Sequence, residues 1–160
     1  MMLAINMNKY SLDNVFFNEQ QKNSLNDTNF IRLIYSSKLF SLQGITISFD
    51  LSTSSFDLLP NKYNKYKCVF SVIENNHIVQ FIKELEYNLI NQVSFHNYHV
   101  NKIPNYKLIE QFQNGEIKVC KLLNEESIKT QNTNTIIIKI SGIWSSNDYY
   151  GLTYKFLTPN

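Results

Sequence analysis

Glycine, proline and cysteine are scarce in this sequence: four, three and two residues among 160. Four dispersed glycines cannot build the phosphate-cradling loop of a Walker or dinucleotide-binding motif, and neither pattern occurs. The two cysteines, Cys68 and Cys120, lie far apart and form no Cys-x-x-Cys pair. That excludes a disulfide-dense scaffold and disfavours a zinc site, so both thiols are expected reduced and buried. His96 and His99 are spaced three apart but lack a second close pair of ligands, and no metal or cofactor is expected. No Gly-x-Ser-x-Gly elbow is present. The only adjacent acidic pair, Glu125-Glu126, sits in a polar stretch, so the chain reads as a non-enzyme. Charged residues amount to 18% and the net charge is +2. A protein that coats duplex DNA through a global field is far more basic. The opening "MMLAINMNKY" lacks a basic and then apolar leader, and no apolar run reaches membrane-spanning length. The expectation is a cytoplasmic protein with no membrane partner.

Hydrophobic residues make up 43%, enough for a core in one domain spanning 1–160. There are 22 asparagines and 22 aromatic residues, and 14 lysines against the single Arg32. Asn, Lys, Ile, Tyr and Phe share A/T-rich codons, so an A/T-rich gene would raise all of them together whatever the protein did.

Period-2 alternation dominates the pattern. "FIRLIY" (30–35), "KLFSL" (38–42) and "ITISFDL" (45–51) read as strands, the last placing Ile45, Ile47, Phe49 and Leu51 on one face. "KCVFSVI" (67–73) is a further strand. The period changes at 77–92, where Ile78, Ile82, Leu85 and Leu89 form one helical stripe opposite Lys83, Glu84 and Asn88. Asn76 is the expected N-cap. "YKLIEQF" (106–112) and "EIKVCKLL" (116–123) flank Gln113-Asn114-Gly115, which reads as a hairpin turn. "TIIIKISGIW" (135–144) and "YYGLTYKFL" (149–157) are the last two strands. Strands, one helix, then strands give a mostly-β chain, and an OB-like closed barrel with one inserted helix is the expected fold.

Parity assigns faces in the last two strands. Ile136, Ile138, Ile140, Gly142 and Trp144 should share an apolar face with Tyr150, Leu152, Tyr154 and Phe156. This needs an odd-length loop, Ser146-Asn147-Asp148, with Asn or Asp in a left-handed conformation. Trp144 then belongs to the rim of the core, with stacking on a ligand as its alternative role. The other face carries Lys139, Ser141, Tyr149, Thr153 and Lys155, and is the better ligand surface. Gly142 and Gly151 within strands point to a bulge, a bend or a close backbone approach.

"KYNKYK" (62–67) alternates Lys62, Lys65 and Lys67 with Tyr63 and Tyr66. Lysines neutralise phosphates and tyrosine rings stack on bases, although a solvated loop has the same composition. "FHNYHVNKIPNYK" (95–107) is a second, weaker cluster of this kind.

"KISGIWSSNDYYGLTYKF" (139–156) resembles the closing hairpin of virus-type single-stranded DNA-binding proteins with an OB fold. The composition is similar to that of proteins from yeast cytoplasmic linear plasmids. The resemblance implies a non-catalytic single-strand binder that supports replication of such an element. The groove would be lined by Lys62, Lys65, Lys67, Lys139 and Lys155, with Tyr63, Tyr66, Tyr149 and Trp144 as stacking rings. Single-stranded DNA is the expected partner, with RNA admitted by the same stacking logic, and a second copy or replication proteins as further partners. The end "FLTPN" has no acidic residue, so recruitment of partners by an acidic tail is not expected. The alternative is an assembly subunit of a virus-like machine that binds protein instead.

Overall fold

The computed structural model describes residues 3–23, 25, 27–92, 101–121 and 133–159. The strands are β1 (Ile5–Asn6), β2 (Val15–Phe17), β3 (Gln21–Asn23), β4 (Thr28–Ser36), β5 (Ser41–Gln43) and β6 (Ile45–Ser52), followed by β7 (Ser55–Leu58) and β8 (Lys65–Val69). Helix α1 (Asn76–Ile90) comes next, then β9 (Ile103–Asn105), helix α2 (Lys107–Gln113), β10 (Glu116–Lys121), β11 (Thr133–Ser145) and β12 (Tyr149–Thr158).

The protein is mostly β. The sheet order is β1-β6-β11-β12-β10-β8-β7. Long β11 is its axis. It pairs with β6 through Thr133–Ile140 and with β4 through Gly142–Ser145, while β12 runs along its other edge. Strand β4 in turn carries β2, β3 and β5. No described strand joins β7 back to β1, so the described sheet is open, in contrast to the closed barrel expected from the sequence.

Both helices pack on one face of the sheet. The α1 stripe is buried as its spacing dictates, with Ile78, Ile82, Leu85 and Leu89 at most 2% exposed. Alternation also holds in β6, where Ile45, Ile47, Phe49 and Leu51 point inward. Phe112 of α2 sits at the centre, its ring 6.0 Å from Phe49, 5.4 Å from Phe70 and 5.7 Å from Phe156.

Three local expectations change. Residues 107–113 form a helix, not a strand, because Leu108 and Phe112 are four apart and both bury against α1 and the sheet. Asn114-Gly115 therefore ends a helix instead of turning a hairpin. The Gly115 N–H donates to the Phe112 carbonyl at 3.2 Å, and Gly115 takes φ +68°, the left-handed C-terminal cap that glycine favours. At the start of α1 the capping position is Asn75, one residue earlier than expected. Its buried amide serves the sheet instead of the helix. Oδ1 accepts from Ser52 N–H at 2.9 Å, and Nδ2 donates to the Ser52 and Ser71 carbonyls at 2.9 and 2.8 Å.

Glu86, on α1, is 1% exposed. Its two carboxylate oxygens accept the backbone N–H groups of Leu108 and Ile109, each at 2.9 Å. A short helix leaves its first N–H groups without internal partners, and here a side chain from the neighbouring helix supplies them. Burial pushes the Glu86 carboxyl up to about 6, while the same two N–H donors pull it the other way.

Candidate nucleic-acid interface

The site begins with one extra residue. Below it the β11–β12 ladder pairs Ile138 with Phe156, Lys139 with Lys155 and Ile140 with Tyr154. Above it the pairs are Gly142 with Thr153, Ile143 with Leu152 and Trp144 with Gly151. The register shift between Ile140 and Gly142 is a β-bulge that leaves Ser141 unmatched. A one-residue shift exchanges the faces. Ile136, Ile138 and Ile140 stay in the core as parity requires, but beyond the bulge Ile143 and Ser145 take the inward positions. Trp144 moves to the outer face with Gly151, Thr153 and Lys155, and is half-buried there. This corrects the expectation that Trp144 lies on the rim of the core. The connecting loop has the expected three residues, yet neither Asn147 nor Asp148 is left-handed. Ser146 closes it instead: its N–H donates to the Tyr149 carbonyl at 2.8 Å and its Oγ accepts from Tyr149 N–H at 3.1 Å.

Two glycines make room for two rings on this face. A Cβ at Gly151 would lie 3.4 Å from Trp144 Cζ2 and 3.0 Å from the Asn105 carbonyl oxygen. A Cβ at Gly142 would lie 2.5 Å from Phe30 Cζ. The indole thus lies over β12 and the Phe30 ring over β11, and Phe30 and Trp144 are ladder partners. Arg32 sits over the Phe30 ring, its guanidinium carbon 5.8 Å from the centroid.

Next to these rings runs a row of cations. Lys139 on β11 faces Lys155 on β12. Lys118 on β10 precedes Val119, the parallel partner of Phe156, which sets it beside Lys155. Across from Lys118 is Lys67 on β8. Four adjacent strands therefore present four lysines in line. Like charges directly opposite one another across a ladder are destabilising, so such a row has to be offset. Lys67 is offset by Glu116, 3.3 Å away. Among the described residues Lys118, Lys139 and Lys155 have no ion-pair partner.

Beside this row the sheet has a notch. Strand β12 pairs with β9 through Tyr149–Gly151 and with β10 through Phe156–Thr158. Between them, Leu152–Lys155 have a ladder partner only on the β11 side among the described residues. The opening has a volume of about 510 Å³ and is lined by Asn105, Lys107, Gln111, Lys118, Cys120, Trp144, Thr153 and Lys155, together with parts of Leu152, Tyr154 and Phe156. The Tyr154 hydroxyl donates to Gln111 Oε1 at 3.0 Å, fixing the inner wall. Burial, with the charges of Glu86 and Glu110, raises the Tyr154 phenol above its ordinary range, so it stays protonated as that donor. Cys120 is half-buried in this wall, not buried as expected. Cys68 is buried, and burial pushes its thiol up to about 12.

Of the residues singled out from the sequence, Lys67, Lys139, Lys155, Trp144 and Tyr149 share the outer face, with Tyr149 48% exposed. Lys65 joins them on β8, opposite Cys120. Lys62 and the 84% exposed Tyr63 lie in the β7–β8 turn. Tyr66 does not belong: it points inward, 9% exposed, and stacks on Phe56 with ring centroids 5.2 Å apart. Strand alternation forces this, since Lys65 and Lys67 point outward. His96, Tyr98 and His99 lie outside the described residues, as do Glu125 and Glu126.

Lys107, the last residue of the weaker cluster at 95–107, lines the notch, whereas Lys118, Phe30 and Arg32 were missed as site residues. For Lys118 the signal was available, because in "EIKVCK" the buried Ile117 and Val119 put Lys118 and Cys120 outward. The same alternation in "FIRLIY" puts Phe30 and Arg32 outward.

No known protein family matches the chain, and neither the curated proteins nor the solved structures compared with it include a match. No helix among the described residues is long and apolar enough to cross a membrane.

Proposed function

We propose that this chain is a non-catalytic binder of single-stranded nucleic acid, DNA first, which serves replication of a virus-like or plasmid element. The observation that carries the reading is the unpaired row Lys118, Lys155 and Lys139 beside Trp144. Adjacent cations without counter-charges favour a ligand with regularly spaced anions, and the exposed Tyr149 and half-buried Trp144 and Phe30 rings beside them favour one that also has flat faces. A single strand supplies both, with phosphates on the lysines and bases on Trp144, Phe30 and Tyr149. Such contacts give little sequence preference. A cytoplasmic setting belongs to the same reading.

The OB-like fold is part of this proposal. A long strand that changes partner at a bulge, as β11 does at Ser141, is how a sheet bends toward a barrel, although the described pairings leave it open. The test is a triple variant, Lys118→Gln, Lys139→Gln and Lys155→Gln, titrated with labelled oligo-dT by anisotropy. Binding of the parent protein with loss in the variant supports the reading. Unchanged affinity in a folded triple variant removes the row from the interface.

A further inference from the structure

We propose that the notch between β9 and β10 is a subsite for one nucleotide unit, with its phosphate between Lys118 and Lys155 and its base against Trp144. This rests on the nucleic-acid reading above and narrows it to a discrete pocket. Three independent features converge there. The first is charge: Lys118 and Lys155 lack ion-pair partners among the described residues, and α2 contributes Lys107 to the same wall. The second is a flat apolar surface, since Gly151 lets the Trp144 indole lie along β12 and face the opening. The third is the strand edge. Successive residues of a strand direct their N–H and C=O groups to opposite edges. Tyr154, midway between the β9 and β10 ladders, thus aims its main-chain N–H and C=O into the notch, where no described strand pairs with them. A bare anion would use only the lysines. An acidic peptide adding to the edge would use lysines and backbone but leave the indole idle. A nucleotide uses all three, and about 510 Å³ falls within the size of small-ligand sites.

The test uses the full chain and its single tryptophan. Thymidine monophosphate is titrated while Trp144 fluorescence is read, and its competition against labelled oligo-dT is followed by anisotropy. Thymidine, inorganic phosphate and a glutamate-rich peptide are the comparison probes. The expected result is quenching and competition by thymidine monophosphate, with thymidine and phosphate each at least about tenfold weaker. Lys118→Gln with Lys155→Gln should weaken the nucleotide about tenfold, while Lys83→Gln, on the exposed face of α1, leaves it unchanged. If oligo-dT binds but the nucleotide neither quenches nor competes, the subsite is wrong and the broader reading stands. If neither binds, both fall. If the acidic peptide binds while the nucleotide is silent, the notch is a strand-edge peptide site and the inference is overturned.

Discussion

Replacing Glu86 should expose how α2 is held, and with it one wall of the candidate interface. In Glu86→Ala the N–H groups of Leu108 and Ile109 lose their acceptors, 2.9 Å away in the native protein, in a region where Leu108 is fully buried. A buried donor left unsatisfied costs about 1–3 kcal/mol, so two give about 2–6 kcal/mol, the lower end applying where water reaches Ile109. Glu86→Gln keeps one acceptor oxygen and should cost roughly half as much. The pH dependence provides a second, independent signature. Burial raises the Glu86 carboxyl from 4.5 to about 6 in the folded protein. The native state therefore holds this proton more tightly than the unfolded chain does. Its contribution to stability is complete below about pH 4.5 and is lost as pH rises through 6, a change on the order of 2 kcal/mol. Urea denaturation of the native protein and of Glu86→Gln, at steps from pH 4.5 to 7, isolates this group by difference. The native protein should lose stability relative to the glutamine variant across that window. If it instead gains stability with rising pH, the backbone hydrogen bonds outweigh burial and the reasoning is refuted.

Other substitutions test the packing around the interface. Gly151→Val should push the Trp144 indole off β12, shift its emission toward that of a solvated tryptophan and cost about 1–3 kcal/mol, since the added carbons meet both Trp144 and the Asn105 backbone. An unchanged emission spectrum in a folded variant would contradict the position given to the indole. Gly115→Ala should cost more than about 1 kcal/mol, because φ is +68° and the new Cβ would lie 2.7 Å from the Phe70 carbonyl oxygen. Thermal or urea unfolding reads this directly, and a neutral or stabilising result would contradict the left-handed cap.

What the sequence could reveal followed from how regular each element is. Strand β6 and helix α1 each keep one period, so the inward Ile45, Ile47, Phe49 and Leu51 and the stripe Ile78, Ile82, Leu85 and Leu89 were legible, while the buried Val79, Glu86 and Ile90 beside that stripe were not. Helix α2 was not, because a seven-residue segment is too short for the two periods to separate, and Asn-Gly serves equally as a hairpin turn and as a helix stop. Trp144 shows a subtler failure. Glycine inside a strand did signal a bulge, but parity was carried through Gly142 as though the ladder were unbroken, and one unmatched residue reverses every face beyond it. The lysine row was half legible. Lys139 and Lys155 follow from their own hairpin, whereas Lys118 and Lys67 join them only through the order β12-β10-β8, which no local pattern encodes. Glu86 was hidden for a related reason: its partner is the backbone of another helix.

The most direct test of the central claim is the salt dependence of oligo-dT binding, read by anisotropy with Trp144 fluorescence alongside. Three phosphates neutralised by Lys118, Lys139 and Lys155 predict a slope of log K against log salt of about −2, with quenching of the tryptophan. Absence of binding at low salt, or binding with a slope near zero and no change at Trp144, would contradict the account.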